Sequence, residues 1–182
     1  MHFFSNKKGE TNKNLIEHII LEKYNQYYRL AYSYVHNEGD AGDIVQNGAY
    51  KALRNSHTLK KAEYAETWVY RIMLNECFRY LQQPRHLSFE SLQEEGMEQG
   101  YKEDIYEDID LQRSLDPLPA QDKAIVLLRF FEDKKLEEIA DILDENVNTI
   151  KSRLYRSMKK LCNSLSTDAG ENICYLINKI GR

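Results

Sequence analysis

The stretch LEEIADILDENVNTIKSRLYRSMKKL, residues 136–161, constrains the fold more than any other part of the chain. Leu136, Ile139, Ala140 and Leu143 recur at i, i+3, i+4 and i+7, the spacing of one helical face. Asp144 to Val147 interrupts that pattern and is too polar and too short for a further element. Ile150, Leu154, Met158 and Leu161 then form a second stripe. Asn148 is the expected N-cap of this second helix, with Lys151 at N3, so a reciprocal capping box is not expected. Two short helices around a tight turn predict a helix-turn-helix. The second helix is the basic one: Lys151, Arg153, Arg156, Lys159 and Lys160 fall within ten residues that contain no acid. In DNA-binding versions of this arrangement the second helix enters the major groove, its N-terminal residues at the base edges. Amphipathic helices in an ordinary bundle share the apolar spacing, so the charge of the second helix is what favours DNA.

Charge points to a partner only when taken segment by segment. The 182-residue chain carries a formal net charge of −4, which by itself argues weakly against nucleic acid. Residues 1–85 balance to +3, residues 86–119 to −8 and residues 120–182 to +1. The acid is concentrated in the middle, where two glycines and sparse apolar content predict a flexible tether. The expected organisation is all-α: two small helical domains, 14–84 and 111–165, joined by an acidic linker, 85–110. A tail, 166–182, carries one possible short helix with Ile173, Leu176, Ile177 and Ile180 on a face. No run approaches the 18 or more apolar residues of a membrane span. The opening MHFFSNKKGETNKN lacks the apolar stretch of a secretory signal. Cys77, Cys162 and Cys174 show no ligand spacing and read as reduced thiols. Together these predict a cytoplasmic protein with no membrane insertion.

Within the first domain a polar, frayed start is expected to precede a long helix from Asn14 to about Val35, unusually rich in tyrosine. Asn37-Glu38-Gly39 is expected to close it, with Gly39 in a left-handed conformation. A second helix from Asp40 would bury Ala41, Ile44, Val45, Gly48, Ala49, Ala52 and Leu53, leaving Asp40, Asp43, Gln46 and Asn47 on its other face. Those four suit a polar docking surface or plain solvation. Residues 55–65 form a loop holding an isolated His57 and a small positive patch, Lys60 and Lys61. A third helix, from about Glu66 to Leu81, places Arg71, Asn75 and Arg79 four residues apart on one face, a chemistry suited to phosphates or bases. Trp68 is either core or a stacking surface. In the second domain Leu115, Leu118, Ile125, Val126, Leu128 and Phe130 supply the core. The chain has no glycine-rich phosphate loop, no G-x-S-x-G, and no spaced metal ligands. No catalytic activity, metal or cofactor is expected.

Three stretches, in this order, resemble bacterial RNA polymerase sigma factors of the extracytoplasmic-function group. YRLAYSYVHNEGDAGDIVQNGAYKAL, from Tyr28, is similar to their core-binding region, and WVYRIMLNECFRYL, from Trp68, to their promoter-melting region. LDPLPAQDKAIVLLRFFEDKKLEEIADILDENVNTIKSRLYRSMKKL resembles their second DNA-binding domain. The resemblance implies a subunit that binds core RNA polymerase, recognises and melts promoter DNA, and answers to an anti-sigma factor. It assigns Asp40, Asp43 and Gln46 to polymerase docking. It assigns Arg71, Asn75 and Arg79, with Lys60 and Lys61, to the minus-ten strand. Thr149, Lys151, Ser152, Arg153, Arg156, Lys159 and Lys160 fall to the minus-thirty-five element. Asn47 stands where the family usually has an acid, and Lys135 where it often has a Ser or Thr cap. Two other readings fit parts of the chain: an operator-binding helix-turn-helix activator, or a helical protein-interaction adaptor.

Overall fold

The computed structural model describes residues 3–83 and 115–164. The linker assigned to 85–110 and the tail assigned to 166–182 lie outside the described residues. Within them the protein is all-α, in two helical clusters. The first holds α1 (Phe3–Glu22), α2 (Tyr24–Val35), α3 (Glu38–Arg54), two short 3-10 turns (Ser56–Thr58 and Ala62–Tyr64) and α4 (Ala65–Gln82). The second holds α5 (Ala120–Phe130), α6 (Leu136–Leu143) and α7 (Val147–Ser164). Among the described residues no helix is long and apolar enough to cross a membrane.

The first cluster differs from its sequence-based outline in three places. The expected frayed start is helical from Phe3 onward. Asn12 is buried there, and its amide donates to the Ser56 and Leu59 carbonyls at 3.3 and 3.1 Å. Those bonds satisfy the carbonyls of the irregular segment before α4, which no local pattern in residues 1–13 announces. The single long helix expected over 14–35 is broken at Lys23, which has φ −105° and ψ 17°. The left-handed residue closing α2 is His36, at φ 52°, and not Gly39. Gly39 already belongs to α3, which starts two residues earlier than expected because the Asn37 side chain accepts the Asp40 N–H at 2.9 Å.

Packing inside the cluster follows the apolar stripes. Ala41, Ile44, Val45, Gly48 and Ala52 face inward from α3. A Cβ on Gly48 would run into the Sδ of Met73 on α4, so glycine is what allows these two helices to approach. Tyr27 and Tyr70 meet edge to face, with ring centres 4.9 Å apart. Glu76, only 4% exposed, receives Lys51 at 2.5 Å and Arg79 at 2.7 Å. Burial raises its carboxyl, yet the hydrogen bonds from Lys51 and Arg79 outweigh this and hold it below the usual range. Cys77 is a free, buried thiol pushed up to about 12 by that burial. Cys162, expected to be reduced, is disulfide-bonded.

In the second cluster Ile139, Ala140 and Ile142 of α6 are buried together with Ile150, Leu154, Met158 and Leu161 of α7. Three residues connect the two helices. Asp144, at φ 57°, ends α6 in the left-handed region, which Asp tolerates better than most side chains. Asn146 then caps α7, its side-chain oxygen accepting the Asn148 N–H at 2.8 Å. The cap is therefore Asn146, two residues before the expected Asn148. At the start of α6 the Glu138 carboxylate accepts the Lys135 N–H at 2.8 Å. Lysine has no acceptor to return the bond, so only the acidic half of a capping box exists there.

The two clusters touch along a seam that carries polar bonds at both ends. At one end Tyr34 donates its hydroxyl to the Ala120 carbonyl at 2.9 Å. Lys123, only 4% exposed, reaches the Ser33 carbonyl and Asp116, both at 2.5 Å, and lies over the Tyr34 ring. Asp116 also holds His36 at 3.0 Å. At the other end Tyr70 donates to Glu132 at 2.6 Å, and Lys134 pairs with Glu66, which also holds Lys23 at 3.1 Å.

Candidate nucleic-acid and polymerase interfaces

Because α3 buries one side, its opposite side is presented outward. Asp43 and Gln46 are exposed there beside Asn47, and Asp40 is half-buried at the capped start. The last of this row is Tyr50, 62% exposed, which the sequence reading left out. Its place one turn beyond Gln46 was a readable signal. Two acids in the first turn, Glu38 and Asp40, also complement the positive end of the helix dipole.

The basic residues assigned to the first domain are not gathered on one face. Lys60 and Lys61 are exposed before α4, and Lys61 pairs with Glu63 at 3.4 Å and covers the Tyr64 ring. Asn75 is exposed. Arg79 is turned back onto Glu76 through two guanidinium bonds of 3.1 and 2.7 Å. Arg71 points elsewhere. Its Nε donates to the Ile142 carbonyl at 3.3 Å and its Nη2 to the Asp141 carbonyl, with the Asp144 carboxylate 3.6 Å away. Tyr64, Thr67, Trp68 and Arg71, with Asp141 of α6 opposite, line an open cleft of about 320 Å³. Trp68 is thus half-buried along a cleft wall and not wholly core.

On α7 the inward stripe turns a different set outward. Thr149, Lys151, Ser152, Arg156, Lys159 and Lys160 are all exposed. Arg156 bonds its own helix at the Ser152 carbonyl, 3.3 Å, and Lys160 reaches the Pro117 carbonyl at 2.7 Å. Arg153 behaves differently. It is largely buried and clasps three side chains: Asp122 at 2.6 Å and Gln121 at 3.0 Å on α5, and Glu145 at 3.5 Å in the turn. Tyr155, 51% exposed, joins the basic face one turn beyond Lys151. Its ring offers an apolar surface with a hydroxyl at the tip, which the sequence reading did not count. Among the described residues no group of three or more His, Cys, Asp or Glu is arranged to hold a metal ion.

Comparison with known proteins bears on both halves. Residues 19–86 match the family model for Sigma-70 region 2, and residues 108–161 match that for Sigma-70, region 4. The chain is 44% identical over 154 residues to the RNA polymerase sigma factor SigV of Bacillus subtilis, covering 84% of this chain and 92% of that one. It is 28% identical over 163 residues to the ECF RNA polymerase sigma factor SigE of Mycolicibacterium smegmatis, covering 85% of this chain and 63% of the relative. Among solved structures it resembles the sigma factor RpoE of Bartonella quintana, crystallised with the anti-sigma factor NepR. That likeness has a TM-score of 0.66 at 21% identity over 84% of this chain and 97% of the other, and speaks to fold.

Proposed function

The chain belongs to the extracytoplasmic-function group of bacterial RNA polymerase sigma factors, and on that premise we propose how its two halves divide the work. It is a promoter-specificity subunit of RNA polymerase and not an enzyme. In our reading residues 14–84 bind polymerase and the minus-ten element. Residues 85–110 link them to a minus-thirty-five-binding domain, 111–165, with α6, the Asp144–Asn146 turn and α7 as its helix-turn-helix. Asp40, Asp43 and Gln46 dock on polymerase, and exposed Tyr50 extends that surface. Arg71, Asn75 and Arg79, with Lys60 and Lys61, engage the minus-ten strand. Lys151, Ser152 and Arg156 read bases, with Thr149 beside them at the helix start. Arg153, Lys159 and Lys160 serve phosphate, and in Arg153 that role competes with its clasp on Asp122.

The observation that carries this reading is the outward face of α7: exposed lysine, serine and arginine with no acid among residues 151–160, backed by a buried stripe. Each base-edge contact is worth about 1–3 kcal/mol, so either domain alone holds a promoter weakly. Linking both on one polymerase turns two weak sites into a strong one. A subunit of polymerase works beside the chromosome, in the cytoplasm. The solved relative held by NepR supports an anti-sigma partner for this chain too. Run-off transcription with core polymerase tests the whole scheme. Promoter-specific transcripts are expected only when the chain is added, and weaker ones after reversing charge at Asp43. Tight operator binding by a free dimer, with no dependence on polymerase, would favour an activator instead.

A further inference from the structure

The end of α3 and the loop after it carry a second basic run. Between Asp43 and Glu63 the sequence holds Lys51, Arg54, Lys60 and Lys61 and no acid. Lys51 and Arg54 fall in the last turn of α3, and Arg54 is exposed. Lys51 does not stand alone. Its ammonium donates to one oxygen of Glu76 on α4 at 2.5 Å, and Arg79 donates Nε and Nη2 to the other oxygen at 3.1 and 2.7 Å. The Glu76 side chain is 5% exposed, whereas those of Lys51 and Arg79 are 42% and 49% exposed. The two cations roof the acid.

One counter-charge would neutralise a buried carboxylate. This one holds two, and the second adds repulsion between neighbours of like sign. What remains is a net positive charge at the surface. Arg79 keeps Nη1, and Lys51 two ammonium hydrogens, for a further acceptor, and neither finds one among the described residues. Long cationic side chains lose much rotamer freedom when they bind, and Glu76 has already restrained both. Two restrained donors side by side fit the paired oxygens of a phosphodiester. Asn75 is exposed one turn before Arg79, so an amide able to meet a base edge adjoins them.

We propose that Lys51 and Arg79, seated on Glu76, clamp one backbone phosphate of the promoter strand, with Glu76 as the positioning residue that sets the pair. This rests on the assignment of Arg79 to the minus-ten strand and adds Lys51 and Glu76 to it. The clamp fixes the strand while Asn75 meets bases, the usual division between phosphate and base contacts.

Binding of the full chain to a labelled mixed-sequence single-stranded DNA of about a dozen nucleotides, across a salt series, tests the clamp. Lys51→Gln should lower the salt slope by about 0.7, one phosphate contact on a single strand, and weaken binding about fivefold at 0.1 M salt. Arg79→Gln should cost the same. The two together should cost little more than either alone, since one phosphate is lost only once. Glu76→Gln raises the local charge by one, so electrostatics without positioning predicts tighter binding. The clamp predicts weaker binding, because an amide nitrogen turns one cation away. Thermal unfolding shows which variants are folded in the assay; if Glu76→Gln is not, the Lys51 and Arg79 cycle decides. Unchanged affinity and slope in Lys51→Gln, or full additivity in the double variant, would overturn the clamp. Equal or tighter binding by folded Glu76→Gln would remove its positioning role. Run-off transcription with core polymerase judges the premise separately. Full activity in Arg79→Gln would take Arg79, and the clamp with it, off the minus-ten strand. Activity lost in Arg79→Gln but kept in Lys51→Gln would overturn the clamp alone and leave the assignment of Arg79 standing.

Discussion

Gly48 sits mid-helix, where glycine is about 1 kcal/mol worse than alanine. From propensity alone Gly48→Ala should stabilise. The Met73 side chain in the way of the new Cβ reverses the sign, because Met73 is itself buried. Urea denaturation should show a loss of about 1–3 kcal/mol for this overpacking. The loss should shrink in a Met73→Ala background, the non-additivity expected of touching residues. A second contrast separates the arginines of α7. Arg153→Ala breaks a partly buried clasp and should lower stability by about 1–3 kcal/mol, the range for hydrogen bonds to charged groups. Arg156→Ala should leave the melting temperature unchanged, lower cognate minus-thirty-five affinity by about 1–3 kcal/mol and relax sequence preference. Lys160→Ala should weaken all DNA alike and reduce the salt slope by about one unit. Binding to matched and scrambled duplexes across a salt series distinguishes the two. Unchanged discrimination in Arg156→Ala would take that residue out of the base-reading set.

At the scale of an element, α7 depends on how its first turn is closed. Asn146→Ala removes the side-chain acceptor for the Asn148 N–H and should cost about 1 kcal/mol, as N-cap losses do. Asn148→Ala, an exposed position inside the helix, should change little. Thermal unfolding of both variants checks this, and equal losses would return the cap to Asn148. The carboxyl end of α6 is the complementary case. Asp144 sits in the left-handed region, where glycine fits without strain. Replacing it with glycine should therefore leave the turn intact while removing one charge from Arg71.

Over the whole molecule the seam makes stability depend on acid. Burial raises the Glu66 and Asp116 carboxyls, but Lys134 with Lys23 at the first, and Lys123 with His36 at the second, outweigh it and hold both below the ordinary range. Glu76 is depressed in the same way inside the first cluster. A depressed carboxyl contributes stability above its unfolded value, about 4, and loses it as pH falls through the folded value. Glu132 has the opposite sign. Burial lifts its carboxyl, only partly countered by Tyr70, Arg29 and Lys134, so acidification favours its docked form. Three groups against one predict that thermal stability and compactness hold near neutrality and fall below about pH 4. Melting curves and scattering between pH 7 and pH 3 test the sign; a melting temperature that rises through the acid range would contradict it.

Local signals carried much of this protein. The apolar spacing over 136–161 identified α6, α7 and most of their buried residues, missing Ile142, because a helix face is written at intervals of three and four. The same logic identified α3 and α4 and placed Asp43, Gln46 and the basic residues of α7 outward, apart from Arg153. The order of three family-like stretches was legible without coordinates, and relatives of similar sequence agree with it. Periodicity also treated Arg71, Asn75 and Arg79 as one face, since spacing says where a side chain leaves its helix and nothing about what it meets. Only the tertiary structure decided that Arg71 meets the end of α6, that Arg79 turns onto a buried Glu76, and that Arg153 is held by Asp122. The burial of Lys123 and the role of Asn12 are of the same kind. Apart from Arg79, whose partner Glu76 lies three residues away, each depends on a partner dozens of residues away or on unpaired carbonyls at the end of another helix. Those distant acceptors exist only once the helices are formed and packed, so no window of sequence contains them.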